Sequence, residues 1–169
     1  MLKLFGSLLI IAGCGSVGFY KVVIHKREVE SLKQFISILD FISSTLIYQQ
    51  TSLPEICRQI GSRFTGKIPI VFSCFADELD NQISPDIRSC MEAALYKQKD
   101  IPKLTGNALK MLGGNLGHFG LDGQLRGIEE IRLDCIQTLQ EYTENQDARL
   151  RTYQTLSLCA GAAIAILFI

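Results

Sequence analysis

"LLIIAGCGSVGFYKVV" (residues 8–23) has two readings, and they lead to different folds. Gly13, Gly15 and Gly18 follow a short β-branched run, so they spell the G-x-G-x-x-G of a dinucleotide-binding turn. That turn needs a strand before it, a helix after it and a second strand ending in an acid about 20 positions on. Downstream the chain runs "FYKVVIHKREVESLKQFISILDFISSTLIY" (residues 19–48), with no second strand bracketed by turn residues. The glycines therefore belong to a helix. Leu4 to Tyr20 carries no charge between Lys3 and Lys21, and as a helix it reaches roughly 26 Å. If Lys21 snorkels outward, Val22, Val23 and Ile24 extend the stretch to roughly 31 Å, close to the ~30 Å hydrocarbon core of a bilayer. Gly6 with Gly13, and Ala12 with Ser16, make smooth faces that let a second helix approach closely.

The other end, "TLSLCAGAAIAILFI" (residues 155–169), is also uncharged. Leu156 to Ile169 is about 21 Å long as a helix, a deficit met by bilayer thinning or by pairing with the first span. Ser157, Gly161 and Ala165 offer the matching small-residue face. These readings divide the chain into an N-terminal transmembrane helix (1–26), a helical bundle (27–154) and a C-terminal transmembrane helix (155–169). An alternative reads Ile11, Ala12, Gly13 and Cys14 as a lipobox, with Cys14 lipidated. Against it, the apolar run continues past Cys14 to Tyr20 instead of becoming a polar tether. Lys21, Lys26, Arg27 and Lys33 follow the first span, and Arg149 and Arg151 precede the second, so the positive-inside rule puts the bundle in the cytoplasm. Cys57, Cys74, Cys90 and Cys135 fit a reducing compartment: they lie among apolar neighbours, without C-x-x-C spacing.

The middle reads as all-α, an antiparallel helical bundle. Leu32, Phe35, Ile36, Leu39, Ile42 and Leu46 recur at three and four residues, on a helix with no Gly or Pro between Tyr20 and Tyr48. "TSLPE" (residues 51–55) starts another helix, with Ser52 as cap, Pro54 in the first turn and Glu55 placed for a capping box. "TGKIP" (residues 65–69) breaks the chain. Phe72, Phe75 and Leu79 form the next stripe. "SPDI" (residues 84–87) restarts with Ser84 as cap, Pro85 at the first helical position and Asp86 on the dipole, leading to Ile87, Met91 and Leu95. The glycine-rich "MLGGNLGHFGLDGQLRG" (residues 111–127) reads as a helix hairpin whose glycines allow tight packing or a left-handed turn. Between Ile128 and Ala160 there is neither Gly nor Pro. Continued to Ile169, this is one helix of roughly 60 Å, weakest by propensity at Asn145. Two long helices without flexible linkers would hold the bundle firmly against the membrane.

Several function classes drop out. With 17 basic and 17 acidic residues, interspersed, the chain lacks the basic surplus of a nucleic-acid-binding surface. The glycine-rich stretch lacks the G-K-[ST] of a phosphate loop. His25 and His118 are the only histidines; they give no metal pair and no triad, and a Cys nucleophile served by His118 has nothing to support it. His118 and Asp122 read as a polar surface contact. Asp77, Glu78 and Asp80 read as a solvated face, with docking of a basic partner as the minority reading. No catalytic, cofactor-binding or metal site is expected, and the chain is not expected to be an enzyme.

The short N-terminal span, "IYQQTSLPE" (residues 47–55), "LGGNLG" followed by "DGQ", and the long helix ending in a small-residue span together resemble the stage III sporulation protein AB family over essentially the whole chain. Leu116 and Gly117 followed by Gln124 are the most specific part; at Gly120 the family usually carries an acid, and Asp122 is the nearest one here. The resemblance implies a component of the secretion-like transenvelope complex between mother cell and forespore in endospore-forming bacteria. It also implies a bundle similar to the cytoplasmic domains of type II secretion F-type platform proteins. Such a platform would sit in the mother-cell membrane around the forespore, beside a secretion-type ATPase, the AA protein of the same system, and other membrane components. Contact residues would be Pro54, Glu55, Gly117, Asp122 and Gln124, and a homo-oligomer is compatible with this reading. The bland competitor is a structural membrane anchor or lipoprotein that touches no ATPase.

Overall fold

The computed structural model describes residues 2–49, 51–81, 86–98, 100–116 and 120–168, with side chains in those ranges except at 2–21, 145–154 and 156–168. The described residues are helical, without strands: α1 (Leu2–Gln49), α2 (Leu53–Arg63), α3 (Lys67–Asp80), α4 (Ile87–Lys97), α5 (Lys103–Asn115) and α6 (Leu121–Phe168). The chain divides into two compact units: Met1–Val29 with Gln140–Ile169, and Glu30–Leu139.

The second unit is the bundle. Its α1 stripe buries Leu32, Phe35, Ile38, Leu39, Ile42 and Leu46. Phe72 and Phe75 of α3 and Met91 of α4 are fully enclosed, and Ile128, Ile131 and Cys135 close the core from α6. The spacing of three and four residues turns these side chains to one side of each helix, which is why the stripes seen in the sequence become the core. Asp40 of α1 accepts a hydrogen bond from Nε of Arg132 in α6 at 2.6 Å. Leu32 shares a small cavity with Asp134, Cys135 and Thr138. Rising residue numbers on α1 thus meet falling numbers on α6, and the two helices are antiparallel. α6 runs unbroken through Asn145 and starts seven residues before the expected Ile128.

Two local expectations change, and a third is narrowed to one of its two readings. Ser52 occupies the N-cap of α2 but its side chain makes no cap bond; Glu55 instead pairs with Arg58 at 3.5 Å, so no capping box forms. The cap of α4 is Asp86, whose carboxylate accepts from the Ser89 N–H at 3.1 Å; a carboxylate at that position satisfies an orphan donor and favours the positive helix end. Ser84 and Pro85 lie outside the described residues. In the glycine-rich stretch, Gly113 and Gly114 lie within α5, and Gly123 and Gly127 within α6. Close packing is the role at Gly113, where a Cβ would come within 2.6 Å of the Met91 Cβ, and at Gly127, where it would lie 3.3 Å from Asn115. Among the described glycines the positive φ belongs elsewhere, to Gly66 at 118° in the α2–α3 corner. The Gln34 amide donates to the Thr65 carbonyl beside it at 2.6 Å and pins that corner to α1.

In the first unit, His25 stacks on Tyr142 with ring centroids 4.5 Å apart. Burial, with help from Glu28, raises the Tyr142 pKa above its ordinary value. Among the described residues no helix is long and apolar enough to cross a membrane. Gly6, Ala12, Gly13 and Ser16 lie in α1 and Ser157, Gly161 and Ala165 in α6, but the side chains on which their packing expectation rests lie outside the described residues.

Candidate partner-binding end

The α1–α6 register sets which residues share one end of the bundle. Residue 40 faces 132, so eight residues further along α1, about 12 Å, Tyr48 lies level with the first turn of α6. α2 begins at Leu53, four residues after α1 ends at Gln49. The starts of α2 and α6 and the finish of α1 therefore come together at one end, and with them Pro54, Glu55, Asp122 and Gln124. Gly117 lies outside the described residues, as does His118, so the His118–Asp122 contact does too.

Each of these residues has a local role that can be stated. Pro54 is half-buried in the first turn of α2, where a missing N–H costs nothing. Glu55 is held by Arg58, which also reaches Asp80 at the end of α3. All three side chains are about half exposed, and such pairs contribute ~0–1 kcal/mol. Asp122 is exposed in the first turn of α6, where a negative charge complements the helix dipole. Gln124 is half-buried, and its N–H donates to the Gly120 carbonyl at 3.0 Å, closing the first turn. Among the described residues no hydrogen bond or ion pair joins Pro54 or Glu55 to Asp122 or Gln124. They do not form a cluster.

Sequence reasoning missed the apolar part of this end. Ile47 is 52 % exposed, Tyr48 84 % and Leu121 45 %. The signal was available: Ile47 and Tyr48 directly follow Leu46, the last position of the buried stripe, so both must fall off it. Ile47 and Tyr48 are adjacent and both exposed, which makes them the apolar residues that a contact surface at the finish of α1 would use.

The acidic run on α3 needs correcting. Glu78 is buried, only 4 % exposed, because Val71, Phe75 and Glu78 share the inner face of α3. Its carboxylate accepts from Nζ of Lys97 at 2.6 Å, and this bond, then the charge of Glu78, raises the Lys97 pKa. Asp77 and Asp80 are exposed, so the solvated face is two residues wide.

The remaining ionisable groups fit a structural interior. Cys57 is buried and its thiol is pushed up to about 12 by desolvation, against a smaller opposing effect of Arg58. Burial, then Asp134, takes Cys135 to about 11. Thiols so held are poor nucleophiles. Among the described residues no group of three His, Cys, Asp or Glu could hold a metal ion.

A solved structure of a stage III sporulation protein AB superposes on this chain with a TM-score of 0.64 at 22 % identity, covering 72 % of this chain and 98 % of the other, so the two share a fold. The stage III sporulation protein AB of Bacillus subtilis (strain 168) is 25 % identical over 171 residues, covering 99 % of each chain. The family model for stage III sporulation protein AB matches residues 3–169, taking in both long helices and everything between them, and the chain belongs to that family.

Proposed function

We propose that the chain is a membrane platform of the sporulation-specific, secretion-like complex between mother cell and forespore, and that it couples a cytoplasmic secretion-type ATPase, the AA protein of the same system, to membrane parts. The observation that carries this is the family match across residues 3–169, which takes in both apolar ends as well as the bundle. In this reading residues 1–26 and 155–169 cross the mother-cell membrane and residues 27–154 face the cytoplasm. Support comes from the absence of charge between Lys3 and Lys21 and from Thr155 onward, and from the grouping of the two terminal segments in one compact unit. Lys21, Lys26, Arg27, Arg149 and Arg151 flank the spans on the cytoplasmic side.

The ATPase docks on the end that carries Pro54, Glu55, Asp122 and Gln124, with Ile47, Tyr48 and Leu121 supplying the apolar contact. Aromatic side chains dominate interface energies when a partner covers them. α1 and α6 each contribute residues to both units.

Copurification of the ATPase with this protein from sporulating cells tests the reading. Tyr48→Ser should cut recovery about tenfold or more, and Gln124→Ala or Asp122→Asn by less. Recovery unchanged in all three variants removes this end as the docking surface, and no ATPase with the unaltered chain leaves a plain membrane anchor. For topology, a Tyr48→Cys variant should resist an impermeant thiol reagent in intact cells and react after permeabilisation.

A further inference from the structure

Between α1, α5 and α6 of the bundle lies a slot of about 250 Å³. That is below the ~300–1,000 Å³ of clefts that hold drug-sized ligands, so its size suits one long side chain. Leu32, Ala108 and Cys135, each at most 5 % exposed, form its inner side. Met111 of α5, 49 % exposed, stands at its mouth. The slot is thus apolar within and open to water, and a stem of methylenes laid in it would remove that apolar surface from solvent.

The polar groups of the lining select what ends the stem. Asp134 and Thr138 stand four residues apart on one face of α6, and Asn107 reaches the slot from α5. A carboxylate, a hydroxyl and an amide carbonyl all accept hydrogen bonds. No lysine or arginine lines the slot: Lys103 and Lys110 line the groove toward α4 instead, and Arg132 is turned aside by Asp40 and Glu129. Asp134 and Glu130, one turn before it, are both exposed, and among the described residues neither has an ion-pair partner. The field of Asp134 reaches the inner side, where it adds to burial in raising the Cys135 pKa. An apolar slot with an uncompensated negative rim calls for a cation on an aliphatic stem. Several acceptors around it favour the planar, weakly hydrated fork of a guanidinium over the point charge of an ammonium. We propose that this slot takes an arginine side chain of a partner protein, its stem lying over Ala108 and Met111 and its guanidinium held at the rim by Asp134, Thr138 and Asn107. Arginine lies on half-apolar surfaces in this way, stem covered and head group at the water. From Leu32 to Tyr48 is about 24 Å along α1, so the surface is separate from the ATPase-docking end and does not depend on it.

The test uses the full chain in detergent, with its methionine methyl groups carrying carbon-13. The first probe is n-propylguanidinium, the arginine side chain cut free. It should shift the Met111 methyl resonance saturably and leave that of Met91, enclosed in the core, in place. n-Propylurea, of the same shape without the charge, and n-butylammonium, the lysine counterpart, should both bind more weakly. Asp134→Asn should weaken the guanidinium probe about tenfold or more, as loss of a hydrogen bond to a charged group does. Asp122→Asn should leave it unchanged. Both aspartates are exposed, so neither change disturbs the core, as circular dichroism will verify. A diazirine amino acid in place of Met111, in sporulating cells, separates a protein's arginine from a free guanidinium compound. The captured peptide should belong to another protein and carry an arginine near the linkage, and Asp134→Asn should abolish its capture. The proposal is overturned if n-propylguanidinium leaves Met111 unshifted, if n-propylurea or n-butylammonium matches it, or if Asp134→Asn changes nothing. It is overturned equally if no peptide is captured, or if the captured peptide lacks arginine or comes from a second copy of this chain.

Discussion

Residues 4–20 and residues 32–46 lie in one helix, yet their apolar residues obey different rules. Between 32 and 46 they recur on one side, and the structure buries that side against α2–α6 while Lys33, Asp40 and Ser44 stay exposed. Between 4 and 20 they occupy every side and no charge interrupts them. A stripe means that the rest of the chain provides the apolar surroundings; an all-round surface needs surroundings that are apolar in every direction. Hydropathy alone would merge the two stretches. Periodicity separates them, and it does so again on α6 between residues 128–139 and 155–169.

If protein atoms do the burying in the bundle, opening the bundle should release what they shield. Cys57 is the sharpest probe. At pH 8, iodoacetamide should modify it far more slowly than an ordinary thiol, because burial raises its pKa and keeps the reagent from the sulfur. Half-buried Cys74 should react first, and denaturant should erase the difference, as mass spectrometry of timed digests will report. The same shift has a signed consequence for stability. Above pH 9 the unfolded chain loses the Cys57 proton while the folded chain keeps it, so Cys57 destabilises the fold progressively as pH rises from about 9 to 12.

Next in size is the stripe itself. Phe35→Ala should cost ~3–5 kcal/mol by chemical denaturation of the bundle, whereas Phe5→Ala, in the all-round stretch, should leave that transition where it is. A loss at Phe5 as large as at Phe35 would erase the distinction between the stretches. Smaller still is the difference between two helix starts. Asp86→Ala should cost ~0.5–2 kcal/mol, the worth of a cap bond, and Ser52→Ala clearly less, since Ser52 makes none; melting temperatures of the two variants provide the check.

How far the sequence could be read follows from the same physics. Stripes were legible because burial repeats with the helix period, so Leu32, Phe35, Leu39 and Ile42, and later Ile128, Ile131 and Cys135, name their own inner faces. Glu78 was misread because its charge outweighed its position seven residues after Val71; only the tertiary placement of Lys97 makes that position tolerable. The N-cap of α4 slipped by two residues because Ser84 and Asp86 are both good caps, and local propensity does not choose between them. The glycine-rich stretch left tight packing and a left-handed turn both open because the neighbours that demand Gly113 and Gly127, Met91 and Asn115, come from other helices. At the proposed docking end Pro54, Glu55, Asp122 and Gln124 were read as contact residues from the resemblance, while the exposure of Ile47, Tyr48 and Leu121 was not read, for want of any pattern beyond falling off a stripe.

Gly66, with φ of 118° and ψ of −165° between α2 and α3, has a stereochemical consequence. Those angles are the mirror image of ordinary extended backbone, so the corner suits a right-handed amino acid better than any the ribosome supplies. L-alanine at this position should cost ~1–3 kcal/mol of backbone strain. D-alanine, introduced by chemical ligation, should fit without strain and raise stability by ~0.4–1 kcal/mol, because it narrows the freedom of the unfolded chain.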